Sequence, residues 1–167
     1  MRVVLVPGVL ALLPEYAGLE DPVPELRQAC LDAVSWLGVE VTVLADGQGT
    51  RVAEHLLAST ARSEDEASYL VVGNGSAMRT EKAPGHLDER AAEFDAGLGR
   101  VLKEPKSQSL AAIDQDLARE LWANVDGIVE MSALPGLVLD RVDYDDDPYG
   151  VQYWVVRWCD DARGCQS

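Results

Sequence analysis

Tyr69-Leu70-Val71-Val72-Gly73-Asn74-Gly75-Ser76-Ala77-Met78-Arg79-Thr80-Glu81-Lys82-Ala83-Pro84-Gly85-His86-Leu87-Asp88 is the segment from which the fold is read. Its first four residues are apolar without alternation, the pattern of a strand covered on both faces. A polar loop punctuated by Gly73, Gly75 and Gly85 follows. Asp88 then predicts a helix N-cap, and Glu89 adds negative charge where the helix dipole favours it. Ala91, Phe94, Leu98 and Leu102 recur at helical spacing behind it. Strand, loop and helix in that order make one unit of an α/β fold.

Upstream, the same signals repeat. Arg2 to Val6 is a second uninterrupted apolar run, ended by Pro7-Gly8. Val9 to Ala17 holds Pro14 and lacks periodicity, so it reads as a packed loop. Asp21-Pro22-Val23-Pro24 predicts a helix start. Leu26, Cys30, Ala33, Val34 and Leu37 form its buried stripe, and Gly38 is the expected stop. Val39, Val41 and Val43 alternate with Glu40 and Thr42 as a strand. Asp46-Gly47-Gln48-Gly49 reads as a turn and Thr50 as the cap of a helix carrying Val52, Leu56 and Leu57. Ser63 to Glu66 is a solvated linker.

Downstream, Gly97 and Gly99 weaken the helix and Pro105 ends it. Ser109 to Met131 reads as helical, with breaks at Asp114 and at 124–127. Leu137 to Val142, an acidic turn from Asp143 to Gly150, and Val151 to Trp158 read as an antiparallel hairpin. The expectation is one α/β domain over residues 1–167: a mainly parallel sheet flanked by helices, a C-terminal antiparallel hairpin, and a flexible tail at 160–167. Ligands in such sheets bind beyond the carboxyl ends of the strands, which puts Pro7-Gly8 and the 74–82 loop on one rim.

The chain has 167 residues, with 29 carboxylates against 14 basic side chains and a formal net charge of −15. That balance argues against nucleic acid and anionic membranes as partners, since both require a basic face. Met1-Arg2 runs at once into Val3 to Val6 and Pro7, too short an apolar run for a signal peptide, so a cytoplasmic protein is expected. Cys159 and Cys165 are near enough in sequence to pair, whereas free thiols are the expectation inside a cell. Cys30 reads as core.

Chemistry concentrates in the loop. Asn74, Ser76, Arg79 and Lys82 are the candidate ligand-binding residues, with Arg79 and Lys82 neutralising an anion. Its backbone N–H groups are placed to receive one. Glu81 and His86 are the candidate acid–base pair. The competing reading is a surface loop held by its own ion pairs. There is no GxGxxG, no Walker loop and no Gly-x-Ser-x-Gly elbow. His55, inside a helix, reads as structural. Asp140, Asp143, Asp145, Asp146 and Asp147 offer a hard-cation site or an ordinary hairpin turn. Tyr149, Tyr153, Trp154 and Trp158 read as sheet packing or an aromatic ligand wall.

Three segments resemble actinobacterial proteins related to the catalytic LigB subunit of class III extradiol ring-cleavage dioxygenases. They are Val6-Pro7-Gly8 through Leu13-Pro14-Glu15-Tyr16-Ala17-Gly18, then Gly73-Asn74-Gly75-Ser76 through Ala91, and Tyr144-Asp145-Asp146-Asp147-Pro148-Tyr149-Gly150-Val151. The resemblance implies that family's fold and a pocket at the strand ends. It also implies that the family's iron site is lost. An iron-binding histidine is expected where Gly8 stands, and a second where Ala45-Asp46-Gly47 stands. The function expected is therefore that of a small LigB-like protein, without a cofactor, binding a small anionic or aromatic ligand at loop 74–86. Two alternatives stand beside it. One is a non-catalytic subunit or homo-oligomer, marked by an exposed apolar patch around Trp154 and Trp158. The other is a divergent metalloenzyme using His86 with Glu81 or Asp88.

Overall fold

The computed structural model describes residues 1–16 and 18–160. Its strands are β1 (Arg2–Val6), β2 (Val41–Leu44), β3 (Ser68–Val72), β4 (Leu137–Asp146) and β5 (Tyr153–Asp160). Its α-helices are α1 (Pro24–Ser35), α2 (Gly47–Ala58), α3 (Ala91–Lys103), α4 (Ser107–Ala111), α5 (Gln115–Glu120) and α6 (Asp126–Glu130). The strands form one sheet in the order β2-β3-β1-β5-β4.

The chain is an α/β protein with helices on both faces of that sheet. Side chains alternate between two cores because successive residues of a strand point to opposite faces. Val4, Val6, Leu70, Val72, Tyr153 and Val155 pack with α1 and α2. Val3, Leu5, Val71, Trp154, Val156 and Trp158 pack with α3, α4, α5 and α6. This double burial is why β1 and β3 carry unbroken apolar runs. Cys30 sits in the first core, fully buried, and burial pushes its thiol pKa up.

The sheet is evenly mixed where a mainly parallel one was expected. β1–β3 and β2–β3 are parallel, while β1–β5 and β4–β5 are antiparallel. The hairpin is not an appendage: β5 takes the free edge of β1. β4 also continues through the acidic stretch to Asp146, where a turn was expected. It is an edge strand whose charged side chains and two register shifts, between Leu139 and Arg141 and between Val142 and Tyr144, discourage pairing with another chain.

Two helix starts differ from expectation. Asp46 caps α2, its Oδ1 accepting from the Gly49 N–H at 2.6 Å, and the Thr50 hydroxyl donates back to the Asp46 carbonyl at 2.8 Å. The Asp46 to Gly49 segment is thus cap and first turn. α3 starts at Ala91, and Asp88 instead turns the chain by accepting from the Arg90 N–H at 2.9 Å. α3 runs unbroken through both glycines. At Gly99 a Cβ would stand 3.5 Å from the Trp154 ring, an ordinary contact. The long helical region divides near the expected breaks, with Asp114 capping α5 by accepting from the Leu117 N–H at 3.0 Å. Among the described residues no helix is long and apolar enough to cross a membrane. Of the flexible tail expected at 160–167, Asp160 is the last residue of β5, and the rest, with Cys165, lies outside the described residues.

α6 is seated directly on the carboxyl ends of β2 and β3. A Cβ on Gly127 would fall 2.4 Å from the Leu44 carbonyl oxygen and 2.8 Å from that of Val72. Backbone cannot retreat as a flexible side chain does. Gly127→Ala is therefore expected to destabilise the protein by about 2 kcal/mol or more, despite alanine's better helix propensity. A lowered urea midpoint at unchanged m-value is the expected result, and an unchanged midpoint would mean that α6 does not rest on those strand ends.

Candidate functional site

β1, β2 and β3 all end at one rim, where β4 also ends and β5 begins. The loops after Val6, Leu44 and Val72 and the β4–β5 turn therefore share an edge. The half of that edge above β2, β3 and β1 is filled. Asn74 and Asn124 exchange backbone hydrogen bonds at 2.9 and 3.0 Å. A Cβ on Gly73 would meet the Asn124 carbonyl at 2.8 Å and Ile128 at 2.9 Å. The Asn74 Oδ1 accepts from the Gly8 N–H at 3.4 Å, and Gln48 Nε2 donates to the Gly8 carbonyl at 2.8 Å.

This rim does not fit an iron centre. Gly8 offers no ligand atom, and a Cβ there would already press on Val72 at 3.2 Å. Asp46 caps α2 with one oxygen and accepts from Asn124 Nδ2 at 3.3 Å with the other. Among the described residues no three His, Cys, Asp or Glu side chains gather as a metal site would require. Of the aspartates of β4 and its turn, Asp143, Asp145, Asp146 and Asp147 take separate partners. Asp143 takes both prongs of Arg157 at 2.7 and 3.0 Å. Asp145 pairs with Lys103, Asp147 pairs with Arg79, and Asp146 accepts from the Asp147 N–H.

The β3 loop does not offer its backbone to an anion, contrary to expectation. The N–H groups of Gly73, Asn74, Gly75 and Ala77 donate to the carbonyls of Val6, Asn124, Gln152 and Leu121, and that of Arg79 to Gly150. The Ser76 N–H donates to Asp95. The glycines serve packing: a Cβ on Gly75 would strike the Asp95 Oδ1 at 2.6 Å and Gln152 at 2.8 Å.

Asp95 is the anchor of this region. It lies on the inward side of α3, 2% exposed, and Ser76 is fully buried beside it. Asp95 Oδ1 accepts from the Ser76 N–H at 2.8 Å and Oδ2 from the Ser76 hydroxyl at 2.6 Å. Arg79 Nη1 stands 3.7 Å from the same carboxylate, while its Nε reaches Asp147 at 3.1 Å. Burial raises the Asp95 pKa, outweighing the opposing pull of Ser76 and Arg79.

Over this anchor opens a cleft of about 340 Å³ between α3 and the hairpin. Arg79, Asp95, Arg100, Lys103, Gln152 and Trp154 contribute to its walls. Lys103 lies 3.4 Å from Asp145, whose other oxygen accepts from Gln152 Nε2 at 2.9 Å. Arg100 is exposed and has no side-chain hydrogen bond or ion pair among the described residues. Three of the chain's 14 basic side chains thus meet in one cleft of a protein with net charge −15.

Of the residues singled out from the sequence, the fold brings Arg79 into the cleft and Ser76 beneath it. Asn74 joins the filled rim. Glu81, Lys82 and His86 are exposed and do not line the cleft. His86 has φ of 62° and its Nδ1 is 3.3 Å from the Glu81 carbonyl. Sequence reasoning missed Asp95, Arg100, Lys103 and Gln152. One signal was present: Asp95 falls four residues after Ala91 and three before Leu98, a carboxylate on the apolar stripe. Trp154 and Trp158 are 3% and 0% exposed, and the Trp158 Nε1 donates to the Leu102 carbonyl at 2.9 Å. With Tyr153 they are core residues, as the packing reading had it, and form no exposed patch, whereas Tyr149, expected in the same packing, is 66% exposed. No family model matches the sequence, and no curated protein matches it.

Asp95→Ala removes both acceptors from two buried donors and is expected to cost about 3 kcal/mol. Asp95→Asn isolates the charge. Because the folded-state pKa is raised, stability from this group is fully present below the ordinary carboxylate pKa of 3.8 and is lost as pH rises through the raised value. Denaturation curves over that window should therefore show the wild type losing ground to Asp95→Asn with rising pH. A difference that moves the other way would mean that Ser76 and Arg79 outweigh burial.

Proposed function

We propose that the chain is a small-molecule binding protein whose ligand is an anion, held in the cleft between α3 and the β4–β5 hairpin. Arg100 carries the reading. It is an exposed guanidinium with no partner among the described residues, on the wall of a cleft that also holds Arg79 and Lys103. Arg79 is already paired with Asp95 and Asp147 and Lys103 with Asp145, so their charges are offset and Arg100 alone supplies an open hydrogen-bonding fork. Glu81 and His86 stand away from the cleft, so the reading is binding and assigns them no step.

The same reading takes the fold as class III extradiol dioxygenase-like with ring-cleavage chemistry lost. What supports that part is Gly8, crowded by Val72 at the position where the resemblance expects a histidine. It takes the protein as cytoplasmic, with no nucleic-acid or membrane partner. Homo-oligomer formation draws no support from Trp154 and Trp158, which are buried.

Titration calorimetry with benzoate, succinate and inorganic phosphate tests the reading. At least one should bind, and Arg100→Ala should weaken it tenfold or more while leaving thermal stability unchanged, since the side chain packs against nothing it would leave unpaired. Binding by none of the three, or an affinity indifferent to Arg100→Ala, would overturn it.

A further inference from the structure

The β4 edge of the sheet carries a separate pocket, on the face opposite α3. Neighbouring residues of a regular strand point to opposite faces. Leu139 pairs with Trp158 and Arg141 with Arg157, so Asp140 is an extra residue at the first register shift. Leu139 packs into the core beneath α3, whereas Asp140 and Arg141 both line one pocket with Trp36 and Arg157. Trp36 ends α1 and packs on the core beneath that helix, so the pocket opens on the α1 face. Its volume is about 350 Å³. Small-molecule sites usually span roughly 300–1,000 Å³.

The second register shift treats Asp143 in the same way, and there the result is visible. Val142 packs beneath α3 and Tyr144 beneath α1, and Asp143 between them meets Arg157 with both oxygens, at 2.7 and 3.0 Å. Arg157 is thereby held, 5.7 Å from the Trp36 ring. Arg2 fixes Trp36 in turn: its Nη1 donates to the Trp36 carbonyl at 2.6 Å and its guanidinium lies 5.0 Å from the ring. Both residues at the back of the pocket are tied down.

Asp140 closes on nothing. Its carboxylate has no hydrogen bond or ion pair among the described residues. Arg141 is nearly as open, 66% exposed, with its Nε 3.9 Å from Asp143 Oδ1. That oxygen already accepts from Arg157 Nη2. A carboxylate and a guanidinium, neighbours in sequence and unpaired with each other, are thus turned into one pocket by a bulge. Re-aiming a side chain beside a binding site is a recurrent use of bulges.

We propose that this pocket binds a free amino acid by its zwitterionic head, the ammonium on Asp140 and the carboxylate on Arg141. Charge selects the class. An anion alone would face Asp140, and a cation alone would face Arg141 and Arg157. A ligand with both charges on neighbouring atoms satisfies each wall. The site lies across the sheet from the cleft of Arg100 and does not rest on the anionic-ligand reading.

Titration calorimetry of the full chain with glycine, leucine and phenylalanine tests it. At least one should bind. Its N-acetyl and C-terminal amide derivatives, each lacking one charge, should bind at least tenfold more weakly. Asp140→Asn should weaken the amino acid tenfold or more without further weakening the N-acetyl form, and Arg141→Gln should weaken it without further weakening the amide. Both side chains lie at an open sheet edge, so the unfolding temperature should not move. Arg100→Ala should leave amino-acid affinity unchanged. Binding by none of the three, a derivative that binds as well as its parent, or an affinity indifferent to Asp140→Asn would overturn the proposal. Loss of amino-acid binding in Arg100→Ala would overturn it too, by placing the ligand in the cleft.

Discussion

The carboxylate of Asp95 holds together the part of the molecule where function is assigned. It is buried on α3 and bridges to the β3 loop through the N–H and hydroxyl of Ser76. Ser76 and its neighbour Gly75 exchange backbone hydrogen bonds with Gln152, just before β5, Gly75 donating and Ser76 accepting, at 2.9 and 3.0 Å. Three segments far apart in sequence are thereby fixed in register. Gly75 is required because any side chain would separate them. A buried carboxylate is tolerable here because both oxygens have donors and a guanidinium stands close. Loosening this contact would detach α3 from the hairpin, and the cleft lies between those two elements.

The mixed sheet explains why the cleft lies away from the strand ends. In a parallel sheet the crevice beyond the carboxyl ends is the usual ligand position. Here α6 rests on β2 and β3 through Gly127, and the Asn74–Asn124 pair closes the space above them. The β3 loop has its N–H groups bonded to neighbours, so it is a strap and not a cradle. β5, antiparallel on the far edge of β1, brings its own turn to the rim and creates a boundary with α3. The concavity left over lies along α3. On one side it is polar and carries Arg79 and Lys103; on the other it is apolar. Arg100 joins the two.

Much of the fold was legible in the sequence because burial writes a period into it. Val3 to Val6 and Leu70 to Val72 announce doubly covered strands, and Leu26, Cys30, Ala33 and Val34 announce α1. Partner choice was not legible. Whether β5 pairs with β1 or stands apart as a hairpin depends on contacts more than 150 residues apart in the chain, for example Arg2 with Cys159. Helix starts were misread where two cappers competed: Asp46 outbid Thr50 because its carboxylate reaches the Gly49 N–H, and Asp88 was drawn to Arg90. The β3 loop was rightly singled out as the distinctive segment, but its charged residues misled. Charge density there marks exposure for Glu81, Lys82 and His86. Besides Arg79, the residues that build the cleft come from α3 and from the β4–β5 hairpin, and on α3 only Asp95 stood out from its apolar neighbours.

The most direct measurement is a map of backbone and arginine side-chain NMR shifts during titration of the full chain with benzoate, succinate and inorganic phosphate in turn. The account predicts that, with a ligand that binds, the Arg100 Nε–H and the amides of Gly99, Lys103, Gln152 and Trp154 move together, while those of Gly8, Asn74 and His86 stay in place. Shifts centred on Gly8, Asn74 or His86, with α3 silent, would contradict it and return the site to the strand ends.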